Sequence, residues 1–402
     1  MPLDLTMLSH QVRLMSSSAS GDIDDRRGRQ SLVLGRYLEE SANYLDWAQA
    51  VDLSREQSAW LLARPVEALN TVYELPPCPP NYALVATDGS QIDVERHGMI
   101  SCYVINIGRV FLQYGQHASA RLSSQPMLYF REEDLYLSDG VRRIAIEGNY
   151  LSARRDMEEG VVLAALAREF LTTDIPAVAL QDGTLVRWTL AGAEKFVQHY
   201  FLQPYLAYLE DMRRQGIPVA SYISRPRAPE VAGAIRLMFC PDVELAQGRG
   251  ANCHQCSDQQ AGRVPTCSIC QGLTDADILA DILEDGQRGP LFVSMSRINI
   301  ESYGLHLIYF FYMRVGREIA RVEIPRWVAE DAGMLSRVHT LIYDQCMRGQ
   351  GYPVALARAH EQAIVRAADR RAFLSIVENS LLRAGLPATD SRKREMKERQ
   401  AL

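Results

Sequence analysis

Two apolar runs of strand length, Ala83-Leu-Val-Ala and Ala177-Val-Ala-Leu, each end in an acidic turn, Asp88-Gly-Ser90 and Asp182-Gly-Thr184. Short apolar runs bounded by turn residues predict buried strands. Further β-branched and aromatic runs broken by Gly and Asp predict strands at about 99–107, 109–114 and 126–137. Between the two acidic turns the spacing changes to that of a helix over 150–172, with Leu163, Leu166 and Phe170 on one face. A helix near 190–214, a strand at 218–223 and a hairpin of 305–313 with 319–324 around Gly316 follow, and the remainder reads as helical. Strands and helices in alternation make this an α/β chain.

The first 75 or so residues predict helices, with Gly21-Asp-Ile-Asp-Asp-Arg-Arg-Gly28 as a charged connector and Trp60, Leu61 and Leu62 inside a second helical stretch. Leu75-Pro-Pro-Cys-Pro-Pro80 cannot be helical, because proline lacks the N–H and restricts the residue before it. The expected division is therefore an N-terminal helical region, 1–78, and a main domain, 79–402, carrying a polar insertion at 241–275. The end, Ser391-Arg-Lys-Arg-Glu-Met-Lys-Glu-Arg399, reads as a solvated charged tail.

Composition changes this picture in few places. At 402 residues and 47% hydrophobic, the chain has ample material for a large core. It has no run of about 18 uncharged apolar residues to span a bilayer and no basic-then-apolar leader, so a cytoplasmic protein is expected. A net charge of −6 argues against a uniformly basic surface for coating nucleic acid, though a recessed basic groove stays compatible with it. The basic residues are almost all arginine, the lysines being Lys195, Lys393 and Lys397.

The acidic turns carry the candidate chemistry. A carboxylate at the carboxyl end of a buried strand stands where α/β sheets open their ligand crevice. Two of them on neighbouring strands would make a site for divalent cations and phosphate. Metal-assisted phosphoryl chemistry needs carboxylates converging from several elements, since two close cations must be held and neutralised. A third would come from the first turns of the intervening helix, Arg154-Arg-Asp-Met-Glu158-Glu159. Glu159 shares the face of Leu163 and Phe170, whereas Glu158 is rotated by about 100°. Near the C-terminus Tyr352-Pro353 opens a helix that carries His360 about two turns along.

A separate pattern lies in the insertion. Cys253-His-Gln-Cys256 and Cys267-Ser-Ile-Cys270 are two Cys-x2-Cys knuckles ten residues apart. Four thiolates at this spacing predict a structural zinc knuckle in a polar stretch short of core-forming residues. Cys78, Cys102, Cys240 and Cys346 are scattered and read as small hydrophobes.

Taken in order, the strand-end Asp88-Gly-Ser90, the helix glutamate, Asp182-Gly-Thr-Leu185, Tyr222-Ile-Ser-Arg225, His306-Leu-Ile-Tyr-Phe-Phe-Tyr312 with Glu323-Ile-Pro-Arg-Trp327, and Tyr352-Pro-x6-Ala-His360 resemble the NurA nuclease family. The resemblance runs from about 80 to 385. It implies a ribonuclease H-like mixed sheet flanked by helices and a manganese- or magnesium-dependent DNA nuclease with two cations per site. It further implies 5′–3′ exonuclease and single-strand endonuclease action in double-strand-break end resection, with a HerA-type hexameric ATPase and as a homodimer. By position, Asp88, Asp182 and the Glu158/Glu159 site become cation ligands, and His360 completes them. Tyr352 would orient the scissile phosphate, with Ser90 and Arg225 as further phosphate contacts. The zinc knuckle is no part of that family pattern. Two other readings compete. One is an actin- or sugar-kinase-like ATPase on the same core, for which an adenosine-binding Gly-Gly signature is missing. The other is a non-catalytic zinc-knuckle scaffold, against which all the acidic positions are present. No Gly-Lys-Ser/Thr P-loop occurs, so ATP-driven motion would have to come from a partner.

Overall fold

A computed structural model describes residues 4–94, 101–172 and 174–386, with backbone alone at 17–22. The tail at 391–399 and the start of the strand expected from 99 lie outside the described residues. In chain order the main elements are helices α1 (Leu5–Glu39) and α2 (Tyr44–Ser54), then strands β1 (Ala63–Pro65), β2 (Tyr82–Ile92), β3 (Tyr103–Tyr114) and β4 (Ser119–Tyr129). Helix α3 (Asn149–Phe170), strand β5 (Ala177–Asp182), helix α4 (Lys195–Gln215) and strand β6 (Val219–Ile223) continue the alternation. They are followed by helices α5 (Glu230–Met238) and α6 (Asp275–Leu279), strand β7 (Phe292–Ser294) and the hairpin β8 (Ile308–Val315) and β9 (Glu318–Pro325). Helices α7 (Ala332–Arg348), α8 (Val354–Ala363) and α9 (Ala367–Arg383) complete the described chain.

These elements fall into two compact units, each built from discontinuous segments. The first comprises Met1–Leu75, Ser224–Ser296 and Tyr309–Val322, and the second Pro76–Ile223, Arg297–Ile308 and Glu323–Leu402. Each has its own apolar core.

In the second unit the strand order is β4-β3-β2-β5-β6. Strands β2, β3 and β4 form an antiparallel meander, and β5 and β6 add in parallel through the crossover helices α3 and α4. Side chains alternate between the faces of a strand. Ala83 and Val85 of β2 and Ala177 and Ala179 of β5 pack with Leu163 and Leu166 of α3 and Phe201 and Leu209 of α4. Leu163 and Leu209 are wholly buried, each worth about 2 kcal/mol of apolar burial. Asp88 and Asp182 fall on the opposite parity, the face on which α8 lies.

Two expectations shift here. The strands expected at 99–107 and 109–114 are one strand, β3, whose ladder with β2 runs unbroken through Gly108, opposite Asp88. The strand expected at 126–137 begins earlier, at Ser119, and ends at Tyr129. Its first half is polar and solvent-facing because β4 is the outer strand of the order, so hydrophobic alternation does not mark it.

In the first unit, Val33 and Tyr37 of α1, Trp47 of α2, Ile235 of α5 and Ile278 and Leu279 of α6 close over Phe292 of β7 and Phe310 of β8. The charged connector expected at 21–28 is instead the middle of α1. Tertiary contacts hold this stretch: Arg29 donates to the Gln271 carbonyl at 2.5 Å, and Gln30 to that of Asp277 at 2.6 Å. Trp60–Leu62 are not helical either; they lead into β1, which pairs antiparallel with β7. The Trp60 indole N–H donates to the Gly233 carbonyl at 2.9 Å, an anchor that helical periodicity does not reveal. No described helix is long and apolar enough to cross a membrane.

Candidate active site

Strands β2 and β5 run parallel, with Thr87 opposite Gln181 as the last paired positions. Asp88 and Asp182 come one residue later, side by side at the carboxyl ends of adjacent strands and on the same face. Each carboxylate accepts from the N–H of the glycine that follows, at 2.8 Å from Gly89 and 2.9 Å from Gly183. The free oxygen of Asp88 meets His360 Nδ1 at 2.7 Å. The Tyr352 hydroxyl donates to Asp182 Oδ1 at 2.9 Å. Four side chains spread over more than 270 residues thus converge on one strand-end pocket.

The backbone explains how Tyr352 arrives there. Helix α7 ends at Arg348, and Gln350 (φ 58°) and Gly351 (φ 110°) both take left-handed conformations. Gln350 is strained there, since such φ values are uncommon outside glycine. The sharp reversal delivers Tyr352 edge-on against Tyr222 of β6, with ring centres 5.6 Å apart. Pro353 then caps α8 rather than occupying its first helical position. At its other end, α8 is held by the Ser90 hydroxyl and Asn106 Nδ2, both donating to the Ala363 carbonyl, the latter at 2.8 Å. Ser90, expected as a phosphate contact, therefore caps the helix that carries His360.

The adjacent glutamates of α3 part company. Glu158 accepts from the Tyr129 hydroxyl and from Arg154 Nε, both at 3.0 Å, and so faces β4. Glu159 is buried over β2, where an added Cβ on Gly89 would sit 2.5 Å from its Oε1. It approaches Arg155 Nε at 3.3 Å and Gln181 Nε2 at 3.5 Å. The turn of α3 that carries it is pinned by the Thr87 hydroxyl, which donates to the Glu159 carbonyl at 3.1 Å. The missing side chain of Gly89 lets this carboxylate lie against the strand end from the α3 face, with Asp88 and Asp182 on the other.

Electrostatics follow from this crowding. Burial, then the negative charge of Asp156, pushes Glu159 up to about 8, with Arg155 opposing and Asp88 adding to the rise. Asp182 is also raised, first by burial and further by Asp88, against the Tyr352 hydrogen bond. Tyr352 is raised well above the ordinary tyrosine range by burial and by Asp182.

A family model described as NurA domain matches residues 82–365. This chain belongs to the NurA family. Membership implies nuclease function in DNA end resection. No curated protein matches the chain significantly.

For a NurA chain, the donor set suits a hard divalent cation. Aspartate and glutamate oxygens with one imidazole are what magnesium or manganese takes, and after burial the charge of Asp88 adds to the rise of both Glu159 and Asp182. The side chains are nonetheless held by one another: among the described residues no group of three or more His, Cys, Asp or Glu is placed to hold a metal ion.

Behind this first layer, sequence reasoning quoted Glu323 only as part of the family motif, with no role, and missed Arg187. Glu323 accepts from the Thr184 hydroxyl at 2.8 Å and the Leu185 N–H at 2.7 Å, fixing the turn that follows Asp182. Arg187 is buried, pairs with Asp156 at 3.0 Å and lies over the Tyr205 ring. The available signal was a lone charge among apolar neighbours, Arg187 in Leu185-Val-Arg-Trp188 and Glu323 in Val322-Glu-Ile324. Such charges must be paired when buried. Arg225 belongs to the first unit and pairs there with Glu318 at 2.7 Å.

The cysteine knuckles form two short turns of the first unit, Cys253–Gln255 and Thr266–Cys270, with all four thiols free. Asp258 ties the turns together, accepting from the Thr266 N–H and hydroxyl, both at 2.9 Å. The segment does reach a core, since Ala251, Cys270 and Leu273 pack with the first unit's apolar cluster. Burial raises the Cys267 thiol, and the neighbouring Cys253 and Cys256 raise it further. Cys240, which looked isolated in the sequence, is raised mainly by burial and also by Cys267 and Cys256, and so adjoins the knuckles. Soft thiolates are zinc's preferred donors, so the set fits that ion in kind.

Proposed function

We propose that this chain is a divalent-cation-dependent deoxyribonuclease that hydrolyses phosphodiester bonds, acting as a 5′–3′ exonuclease and single-strand endonuclease in end resection. The observation that carries the proposal is the pairing of Asp88 and Asp182 on one sheet face, with His360 on the first and Tyr352 on the second. A ribonuclease H-like core is supported by the strand order β4-β3-β2-β5-β6, an antiparallel meander extended by two parallel strands.

Asp88, Asp182 and Glu159 would hold manganese or magnesium, with His360 beside them; Glu158 faces β4 and is not in the proposed set. Cations there supply Lewis-acid stabilisation of charge developing on the phosphoryl group. Asp182 has its Oδ1 saturated by Gly183 and Tyr352, which leaves Oδ2 without a partner among the described residues. His360 fixes the orientation of Asp88 from an exposed position on α8. Tyr352, kept protonated by burial beside Asp182, gives its single hydroxyl proton to Asp182 Oδ1, and would orient a phosphate oxygen by turning that donor from the carboxylate to the substrate. A homodimer and a HerA-type ATPase partner complete the proposal, since the chain has no nucleotide-binding P-loop of its own.

The test is cleavage of end-labelled DNA with manganese. Asp88→Ala or Asp182→Ala is expected to lose about 4 kcal/mol of transition-state stabilisation, roughly a thousandfold in rate, with unchanged unfolding. Wild-type cleavage by either folded variant refutes the site. For Cys253, Cys256, Cys267 and Cys270 we propose one structural zinc per chain; its absence by elemental analysis of reduced protein refutes that part.

A further inference from the structure

The first unit carries an open cleft of about 580 Å³ that none of the catalytic argument uses. Four arginines line it: Arg26 from α1, Arg225 and Arg227 from the loop between β6 and α5, and Arg317 from the β8–β9 turn. Two carboxylates face them. Asp277 is paired with Arg26 at 2.6 Å, and Glu318 with Arg225 at 2.7 Å. Arg227 and Arg317 are exposed and make no hydrogen bond or ion pair among the described residues. The lining therefore holds two uncompensated positive charges in a chain whose net charge is −6.

The loop is shaped to present them. Arg225 stands at φ 47° directly before Pro226, where extended backbone is the rule, and its exposed guanidinium pairs with Glu318. Pro226 is buried, so the arginines either side of it are fixed at the cleft while their own side chains face solvent. The two salt bridges engage one arginine each and leave Arg227 and Arg317 without an ion pair among the described residues. Guanidinium groups bind phosphate oxygens through paired N–H donors, and a cleft of this volume is in the range that seats a ligand of nucleotide size.

We infer that this cleft is a phosphate-binding subsite for a single nucleic acid strand, with Arg227 and Arg317 as the contacting residues. The inference rests on the nucleic-acid substrate proposed above and adds a place where the strand's backbone is gripped by residues outside the acidic pocket.

The test is binding of a fluorescent single-stranded DNA 20-mer by anisotropy across a series of sodium chloride concentrations, without divalent cation so that the strand stays intact. Each phosphate contact contributes about 0.7 to the slope of log affinity against log salt on single strands. The double variant Arg227→Ala/Arg317→Ala should lower that slope by about 1.4 and weaken binding roughly twentyfold near 0.1 M salt. Arg227→Lys/Arg317→Lys should retain most of the slope, because the point charges remain. Both positions are exposed, so melting temperatures should stay at the wild-type value. An unchanged slope and affinity in the alanine variant overturns the subsite even if wild-type protein cleaves DNA with manganese. Inorganic phosphate bound by wild type and lost in the variant, with DNA binding unaltered, assigns the cleft to free phosphate and also overturns it. Wild-type protein that neither binds nor cleaves DNA overturns the subsite and the nuclease proposal together.

Discussion

Helix α8 lies directly on bare backbone at Gly108, and a single methyl group there should uncouple His360 from Asp88. A Cβ on Gly108 would sit 2.0 Å from the Ala359 carbonyl oxygen and 2.7 Å from the Ala363 nitrogen, some 1.4 Å short of ordinary contact at 3.4 Å. Both obstacles are main-chain atoms of α8, so no rotamer change relieves the clash; the helix itself must lift. A lift of that size stretches the 2.7 Å His360–Asp88 contact beyond hydrogen-bond range and pulls the Ala363 carbonyl away from Asn106 and Ser90. Overpacking costs about 1–3 kcal/mol, and each lost capping bond adds about 1 kcal/mol. Gly108→Ala should therefore destabilise the second unit by roughly 3–5 kcal/mol. The fall is read as a lower urea midpoint, accompanied by a loss of manganese-dependent cleavage in whatever fraction stays folded. Gly192→Ala is the control, because nothing lies within 4 Å of its added Cβ. A Gly108→Ala protein with wild-type midpoint and wild-type cleavage would refute the claim that close approach of α8 assembles the site.

Other outcomes follow from single groups. Glu159→Gln should abolish cleavage with little change in folding. Glu158→Gln should keep cleavage and lose about 1–2 kcal/mol as its bonds to Tyr129 and Arg154 weaken; the reverse result reassigns the ligand. Asp275 is wholly buried, accepting from the Ala232 N–H and the Tyr312 hydroxyl, and burial raises its carboxyl from an ordinary 3.8 to about 6. Folding then favours the protonated form, a contribution complete below pH 3.8 and lost as pH rises through 6. A rise from 3.8 to about 6 corresponds to about 3 kcal/mol. Urea midpoints between pH 4 and 7 should thus fall for wild type relative to Asp275→Asn, and parallel profiles would refute the assignment.

The paired acidic turns were readable because strand and turn are local events. An apolar run, an aspartate and a glycine predict their own geometry from backbone sterics. The helix α3 and the burial of Glu159 were readable from periodicity for the same reason. Gly108 shows the limit. Within the chain it looks like a break between two strands, since glycine weakens strand propensity; in the fold it is the point where β3 stays bare so that α8 can touch it. Ser90 shows it too. An Asp-Gly-Ser turn suggests a hydroxyl aimed at phosphate, and the structure gives that hydroxyl to the last turn of α8. The middle of α1, rich in charge and holding two glycines, looks like a connector until Arg26, Arg29 and Gln30 find partners more than 240 residues away.

By itself the sequence determined the alternating α/β pattern, the two strand-end aspartates, the glutamate-bearing helix and the Tyr352–His360 element. All are encoded in spacing that is short compared with one strand or one helix. Tertiary structure alone decided that Asp88 and Asp182 are neighbours and that His360 meets Asp88. It also decided that segments 4–75, 224–296 and 309–322 share one core. Register between strands and the seating of a helix on a sheet depend on which distant residues leave room, and no local pattern records an absent side chain's future neighbour.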